Sequence, residues 1–276
     1  MEYINQVING DCEEVCKELP EKCAQLIFFS PPYADIANKY KDGYKGVAPE
    51  DYSNWMMPKI HQFFRVLDNR GSMIINIDSK VIDGFRSTYV MELVLRITKE
   101  TGFHLYEELT WCKGKSLCHP KRFRNPLEKI YWFVKQKDFV FNLDAMRVEY
   151  DKKSLARMLR PIKKRFARTE ENQNSTVYKN WKKNPLGAIP STLVKIGSES
   201  KRICDFHCAT FPLRLSNYFI KGASNPGGLV IDPFAGTFTT CLSAKNLGRN
   251  YCGIELSKEY CEFGSDRLSS TNIHPL

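Results

Sequence analysis

Gln25-Leu26-Ile27-Phe28-Phe29-Ser30-Pro31-Pro32-Tyr33 joins a compact apolar run to two consecutive prolines. Such a run, ended so abruptly, is typical of a strand that is buried on both faces of a parallel sheet. The strand must end in a loop at its carboxyl end, because each proline fixes φ and has no amide hydrogen to donate. The loop is therefore stiff and can aim a backbone carbonyl and the Ser30 hydroxyl at a fixed point, while Tyr33 offers an aromatic face on which a base can stack. A proline-rich strand terminator with Tyr33 as a core aromatic is the alternative.

Strand-like and helix-like segments alternate on both sides of this stretch. Amphipathic spacing predicts helices that begin at Asp11 and that span 51–65, 87–99 and 239–247. Apolar runs predict further strands at 71–77, 105–111, 130–134, 229–231 and 250–254. This alternation predicts an α/β fold with a doubly wound sheet, in which ligands bind at the carboxyl ends of the strands.

The charge of the chain is concentrated in its middle. The formal net charge is +10, and residues 110–202 hold 23 Lys and Arg against 8 Asp and Glu. The remainder holds 18 basic and 23 acidic residues. A basic segment of this kind, predicted to be helical over 152–168, indicates a nucleic-acid-facing insert. Charge alone leaves a merely solvated basic face as an equal alternative.

The ten cysteines are expected to be reduced thiols. Residues 1–10 lack the apolar core of a secretory signal, and no stretch approaches the roughly 18 apolar residues of a membrane span. We therefore expect a cytoplasmic, prokaryotic protein without a membrane anchor. Cys204, His207 and Cys208 are too crowded for a usual zinc finger, so no metal is predicted.

A second motif, Asp232-Pro233-Phe234-Ala235-Gly236-Thr237-Phe238-Thr239-Thr240, links a predicted strand directly to a helix. A small, glycine-containing turn lets backbone amides approach a ligand, and a helix amino terminus favours negative groups. Glu255 ends the next predicted strand, where an acid suits a ribose diol. The motif predicts a nucleoside cofactor without saying which one, and a purely structural turn is the alternative.

Together the two motifs resemble the amino-methyltransferase family of DNA modification enzymes. That family pairs a [Ser/Asp/Asn]-Pro-Pro-aromatic motif with a Phe-x-Gly-x-Gly cofactor motif. Here Ser30-Pro31-Pro32-Tyr33 comes first and the basic segment lies between the motifs, which resembles the permuted order of the beta class. The likeness extends to Asn9-Gly10-Asp11 and to 52–77, 128–135 and 207–212, and residues 138–180 match least.

The resemblance implies a Rossmann-like S-adenosylmethionine-dependent methyltransferase fold with an inserted target-recognition region. Residues 1–137 would be its catalytic part, 138–202 the insert that binds DNA, and 203–276 its cofactor-binding part. The partner implied is double-stranded DNA with the target base flipped out. A cognate restriction endonuclease would accompany a monomeric or homodimeric enzyme.

The resemblance also assigns roles to residues. Ser30 and the Pro31 carbonyl would hydrogen-bond the exocyclic amine, Tyr33 would stack on the base, and Pro32 would keep the loop rigid. The cofactor would be bound by Asp11, Phe211, Asp232, Phe234, Ala235, Gly236, Thr237, Thr240 and Glu255. DNA phosphates would be bound by Lys163, Lys164, Arg165 and Arg168, whereas 172–175 would read base edges or form a disordered polar loop.

Serine at the first motif position is typical of cytosine-N4 methylation, so cytosine is the expected target. Adenine N6 is the alternative, as is the same chemistry on RNA or on a protein amide. Phe238 stands where the family has its second motif glycine. A bulky side chain there either weakens cofactor binding or turns into the helix packing. A non-catalytic DNA-binding protein with a decayed cofactor site is therefore a further alternative.

Overall fold

The computed structural model describes residues 2–34, 46–114, 120–158, 183–197 and 211–270. Its strands are β1 (Gln6–Asn9), β2 (Ala24–Phe29), β3 (Leu67–Asn76), β4 (Val81–Ile82), β5 (Phe85–Arg86), β6 (His104–Cys112), β7 (Leu127–Val134), β8 (Leu193–Lys195), β9 (Leu229–Asp232) and β10 (Asn250–Glu255). Eight of them form one sheet in the order β1-β10-β9-β2-β3-β7-β6-β8, and β4 and β5 form a separate hairpin.

The sheet is parallel from β1 to β3, and its direction then changes. β7 runs antiparallel to both β3 and β6, while β8 runs parallel to β6. Parallel neighbours need crossover connections, which helices provide here. These helices are α1 (Cys12–Glu18), α2 (Tyr52–Val66), α3 (Tyr89–Glu100), α4 (Leu143–Met146), α5 (Lys152–Met158), α6 (Leu213–Ala223), α7 (Thr239–Asn246) and α8 (Lys258–Ser269).

β2 shows why its sequence is apolar at successive positions. Ile27 and Phe29 belong to the core that packs against α1, α2 and α3. Leu26 and Phe28 point to the opposite face, into the core that packs against α6 and α7. Successive side chains of a strand face opposite sides, so a strand covered on both faces has no solvent-exposed position. The predicted doubly wound α/β architecture is thereby confirmed.

Most elements lie where the sequence predicts them, and six were not predicted, with the β4–β5 hairpin taken as one. β1, α4, α6, α8, β8 and this hairpin are short, lack a clear apolar run or lie next to polar segments. Only the first part of the predicted basic helix is described, as α5, and residues 159–168 lie outside the described part of the chain. Across the described ranges, no helix is long and apolar enough to span a membrane.

The basic insert is joined to the sheet near both of its ends. β8 is the edge strand of the sheet and pairs with β6, and Val148 forms an isolated bridge with Ala188. At the start of the insert, Met146 is buried in the same core as α6, and Asn142 donates to the Lys221 and Ser224 carbonyls. The parts of residues 138–202 that the structure describes therefore pack on the α/β body.

Candidate active site

Residues that are distant in the sequence meet at one edge of the sheet. The parallel strands β1, β10, β9, β2 and β3 all point their carboxyl ends to this edge. β7 begins at the same edge because it is antiparallel, and β6 ends there. The edge therefore collects the residues that follow or end these strands, which include Asp11, Glu255, Asp232, Ser30, Asp78 and Glu128.

The glycine turn after β9 is held by the neighbouring strand and by the last helix. The Gly236 amide donates to Glu255 Oε2 at 2.8 Å, and Gly236 has a positive φ of 50°. From α8, Arg267 donates to the Thr237 carbonyl at 2.5 Å and to the Thr239 hydroxyl at 3.1 Å. These contacts fix the turn in an open, left-handed conformation at the sheet edge.

Phe238 does not project into this edge. Its ring is fully buried beside Cys241 and Leu268, in the core between α7 and α8. A Cβ atom added to Gly253 or Gly264 would lie 2.6 or 2.1 Å from that ring, so the two glycines make its space. The left-handed backbone of Phe238, with φ 58°, costs about 1–2 kcal/mol, which burial of a whole aromatic ring offsets.

Two acidic side chains stand close together in the site. Burial raises the pKa of Asp232 to about 7, and the nearby Glu255 charge adds to this. The Thr240 side chain and a 3.1 Å hydrogen bond from the Phe234 amide oppose the rise. Burial also raises the pKa of Glu255, although backbone amides of Ser257, Gly236 and Leu256 oppose it. A cation or a hydroxyl donor is the ligand that such a pair favours.

The other predicted cofactor residues surround these acids. Asp11 caps α1 by accepting the Glu13 amide at 2.8 Å, next to Gly10, whose amide donates to the Glu255 carbonyl at 3.0 Å. Phe234 packs with Phe29 and Trp55, at centroid distances of 5.5 and 6.0 Å. Phe211 lies 5.2 Å from Phe28 by ring centroids, just before α6. The fold therefore brings the nine residues to the strand ends and the adjoining helix starts.

The proline loop after β2 is supported by a residue that no motif contains. Tyr52, fully buried in α2, donates its hydroxyl to the Pro32 carbonyl at 2.8 Å. The Tyr33 hydroxyl donates to Glu128 Oε2 at 3.3 Å. Burial raises the pKa of Tyr33 well above its usual range, and the Glu128 charge adds to the rise, while a hydrogen bond with Ser30 opposes it. Tyr33 is therefore a neutral hydrogen-bond donor.

Glu128 is itself paired with a cation. Lys113 Nζ lies 2.5 Å from Glu128 Oε1, and it also lies 5.8 Å from the Trp111 ring centroid. The sequence did not single out Lys113, and it included Tyr52 and Glu128 only within stretches that resemble the family. Lys113 and Glu128 are identified from the strand directions in the structure. β7 runs antiparallel to β3 and β6, and this brings the end of β6 and the start of β7 to the site.

The predicted DNA-binding residues cannot be located in this way. Lys163, Lys164, Arg165 and Arg168 lie outside the described residues, as do 172–175 and the Cys204, His207 and Cys208 group. In the part of the chain that the structure does describe, no three His, Cys, Asp or Glu side chains are grouped to hold a metal ion. The seven cysteines within that part are free thiols.

The chain is similar to bacterial DNA methyltransferases along nearly its whole length. The profile of the DNA methylase family N6_N4_Mtase matches residues 24–266. The type II methyltransferase M.BglII of Bacillus subtilis is 27% identical over 97% of this chain and 70% of its own length. The DNA adenine methyltransferase YhdJ of Escherichia coli K12 is 29% identical over 95% of this chain and 82% of its own length.

Solved structures show the same fold. The cytosine-N4-specific PvuII DNA methyltransferase superposes with a TM-score of 0.72 at 22% identity, covering 97% of this chain and 87% of that one. The complex of M1.HpyAVI with S-adenosylmethionine superposes with a TM-score of 0.62 at 22% identity, covering 96% and 98%. At these identities the likeness establishes the architecture, and the chemistry has to be argued from the residues.

Proposed function

This chain belongs to the N6_N4_Mtase family of S-adenosylmethionine-dependent DNA methyltransferases, and we propose that its target is the exocyclic N4 of cytosine. Ser30, at the first position of the Ser-Pro-Pro-Tyr loop, carries this proposal. Serine is the residue expected there for cytosine, and aspartate or asparagine is the residue expected for adenine. The loop lies at the end of β2, beside the turn that follows β9.

The residues at the strand ends fit S-adenosylmethionine by their chemistry. A carboxylate offers about four acceptor positions, and the backbone amides of Gly236, Ser257 and Leu256 leave Glu255 able to accept from a ribose hydroxyl. Asp232 would pair with the ammonium group of the amino-acid part, since a nearby positive charge lowers the pKa of a buried carboxyl. Phe234, Phe211 and Asp11 would surround the adenosine.

The proline loop would bind and orient the target amine. S-adenosylmethionine, when bound, supplies an electrophilic methyl group. The Tyr52 hydroxyl donates to the Pro32 carbonyl and holds the loop in place. The acceptors proposed for the amine hydrogens are the Pro31 carbonyl and the Ser30 hydroxyl. Both would favour a more sp3-like nitrogen whose lone pair is available for attack. Positioning and electrostatic stabilisation of the charge that develops on nitrogen would then supply the catalysis.

Tyr33 would present its ring to the flipped base. Its hydroxyl is bound to Glu128, which is bound in turn to Lys113, so the ring is fixed at its polar end. A fixed aromatic face binds a base at low entropic cost, and a base–aromatic stack contributes about 1–3 kcal/mol. This contribution offsets part of the few kcal/mol that flipping requires.

We also propose a role for each part of the chain. Residues 1–137 and 203–276 would form the catalytic and cofactor-binding parts of one domain, and 138–202 would recognise the target sequence. Phosphate contacts are proposed for Lys163, Lys164, Arg165 and Arg168. The attachment of β8 to β6 supports this arrangement, since it fixes one end of the basic segment beside the site. The enzyme would act as a monomer or homodimer beside a cognate restriction endonuclease.

The target base is tested by analysing methylated nucleosides. DNA from a methyltransferase-deficient bacterial host that expresses the protein is digested and examined by mass spectrometry, with the empty vector as control. We expect N4-methylcytosine above the control. N6-methyladenine alone would overturn the cytosine proposal and favour the adenine alternative. The 29% identity to the DNA adenine methyltransferase YhdJ is the observation that supports this alternative.

A decayed cofactor site is tested separately by binding. The buried position of the Phe238 ring supports a working site, because the ring does not fill the sheet edge. We expect calorimetry to show S-adenosylmethionine binding to the purified protein at micromolar concentrations. Failure to bind at millimolar cofactor would favour a non-catalytic DNA-binding protein.

A further inference from the structure

A small hairpin stands beside the site and is separate from the main sheet. β4 and β5 have two residues each, and Asp83 and Gly84 connect them with φ values of 47° and 86°. Two positive φ values in a two-residue connection are typical of a type I′ turn, which Asp-Gly favours. The Ser87 amide closes the hairpin by donating to the Lys80 carbonyl at 2.9 Å.

A second segment, residues 121–125, is bound to this hairpin. The Arg122 guanidinium donates to the Gly84 carbonyl, and Asn125 Nδ2 donates to Asp78 Oδ2 at 3.4 Å. Arg86 donates to the Ser79 hydroxyl at 2.8 Å. The hairpin follows β3 and the second segment precedes β7, so both lie at the edge that carries the proline loop. We call residues 81–86 together with 121–125 the aromatic surface.

This surface exposes two phenylalanines. Phe85 is 79% exposed and Phe123 is fully exposed, the two highest values among the large hydrophobic side chains that the structure describes. Neither ring packs in a core, so folding stability does not account for them. A hairpin with two-residue strands is also marginally stable by itself and gains nothing from an apolar side chain in water.

The charges around the two rings are predominantly basic. Lys80, Arg86, Lys121, Arg122 and Arg124 lie on or next to the aromatic surface, whereas its acids are Asp78 and Asp83. Exposed aromatic rings among arginines are the combination that nucleic acids select, since rings stack on bases and guanidinium groups bind phosphates.

We infer that the aromatic surface contacts the DNA beside the flipped nucleotide, with Phe85 and Phe123 stacking on bases and the neighbouring basic side chains binding phosphates. The inference rests on the proposed function, because only a flipped base leaves unstacked neighbours close to the proline loop. Apolar wedges at such steps compensate for lost base stacking. Asp78 connects the two places, since it binds Asn125 and its charge also reaches Tyr33.

The test measures methylation kinetics on unmethylated plasmid DNA. Phe85→Ala and Phe123→Ala are each expected to raise KM for DNA about 10-fold, because each variant loses one base–aromatic stack. The double variant is expected to raise KM further. The dissociation constant for S-adenosylmethionine is expected to stay within twofold. Phe85→Trp is expected to retain the wild-type KM. Ile4→Ala is the matched control. Ile4 is also exposed, but it lies at the amino end of β1, away from the carboxyl ends of the strands where the proline loop lies.

The outcomes separate the inference from the proposed function. If the wild type methylates DNA and the double variant has an unchanged KM, the inference is overturned and the proposed function stands. If the wild type is inactive, the proposed function fails, and binding of a fluorescein-labelled mixed-sequence duplex decides the inference; equal affinity of wild type and double variant overturns it. A dimer that the double variant dissociates, with DNA affinity unchanged, would assign the surface to self-association.

Discussion

Tyr52 belongs to no motif of the sequence, yet its hydroxyl donates to the Pro32 carbonyl and so holds the proline loop against α2. Its ring lies 4.7 Å from that of Tyr89 by centroids, and Tyr89 in turn donates its hydroxyl to the Asp78 carbonyl. A four-residue motif predicts which groups face the site. It does not predict the residues that hold them, because these depend on how α2 and α3 pack against the sheet.

Ser30→Ala tests the catalytic loop at the scale of one hydroxyl. We expect turnover to fall about 100-fold, because a hydrogen bond that strengthens in the transition state is lost. The affinity for S-adenosylmethionine should stay within twofold, since the proposed cofactor residues lie outside β2 and the proline loop. Single-turnover kinetics and calorimetry measure the two quantities.

The control for this substitution is Ser265→Ala in α8. The Ser265 hydroxyl donates within the helix to the Cys261 carbonyl at 2.9 Å, so its loss should leave both turnover and cofactor affinity unchanged. Equal losses of turnover and cofactor affinity in Ser30→Ala would contradict the role proposed for Ser30.

At the scale of elements, the Phe238 ring packs among three secondary-structure elements, α7, β10 and α8. Phe238 precedes α7, and its ring fills a space bounded by Gly253 of β10 and Gly264 of α8. From the sequence, a phenylalanine at a position where the family has glycine allows two interpretations: its side chain weakens cofactor binding, or it turns away and packs against the helix. The two glycines that decide between them lie 15 and 26 residues further along the chain, so local pattern does not reveal the compensation.

Phe238→Ala is expected to destabilise the fold and spare the site. A cavity left by a buried phenylalanine costs about 3–5 kcal/mol of unfolding free energy, and alanine keeps the left-handed strain. Urea denaturation measures that loss, and calorimetry on the folded variant should show S-adenosylmethionine affinity within threefold of the wild type. A variant of wild-type stability that binds no cofactor would contradict the packing role.

Gly264→Ala provides a matched second substitution for this element. In the wild type its Cβ would lie 2.1 Å from the Phe238 ring, so we expect a clear loss of stability. In the Phe238→Ala background the same Cβ enters the cavity, and the loss should be smaller by about 1 kcal/mol or more. Additive losses would mean that the ring and the glycine do not share the space.

At the scale of the whole molecule, the sequence predicts the parallel half of the sheet better than the rest. Strands buried on both faces, such as β2 and β9, have continuous apolar runs that a single chain reveals. β1 is a short edge strand with polar ends, and the reversal of β7 depends on pairing with strands far away in sequence. Consequently the placement of the proposed cofactor residues at the strand ends could be predicted from the sequence, whereas the Tyr33–Glu128–Lys113 contacts could not.

The convergence of strand ends also has a cost for the fold as a whole. It places Asp232 and Glu255 close together in a buried edge, where both pKa values are raised. Functional sites commonly retain such destabilising groups because ligand binding needs them.

Asp232→Asn should therefore change how global stability depends on pH. The folded-state pKa of Asp232 is raised from 3.8 to about 7, so the folded protein holds a proton that the unfolded chain releases, and stability decreases as pH rises through this window. Asparagine keeps the shape without the charge. Relative to the wild type, the variant should gain up to about 1.4 kcal/mol per pH unit between about pH 4 and pH 7, and nothing further above it. Urea denaturation at about pH 5 and pH 8, with the exposed Asp51→Asn as control, measures the difference; parallel pH profiles for wild type and Asp232→Asn would show that Asp232 is ionised without penalty in the fold.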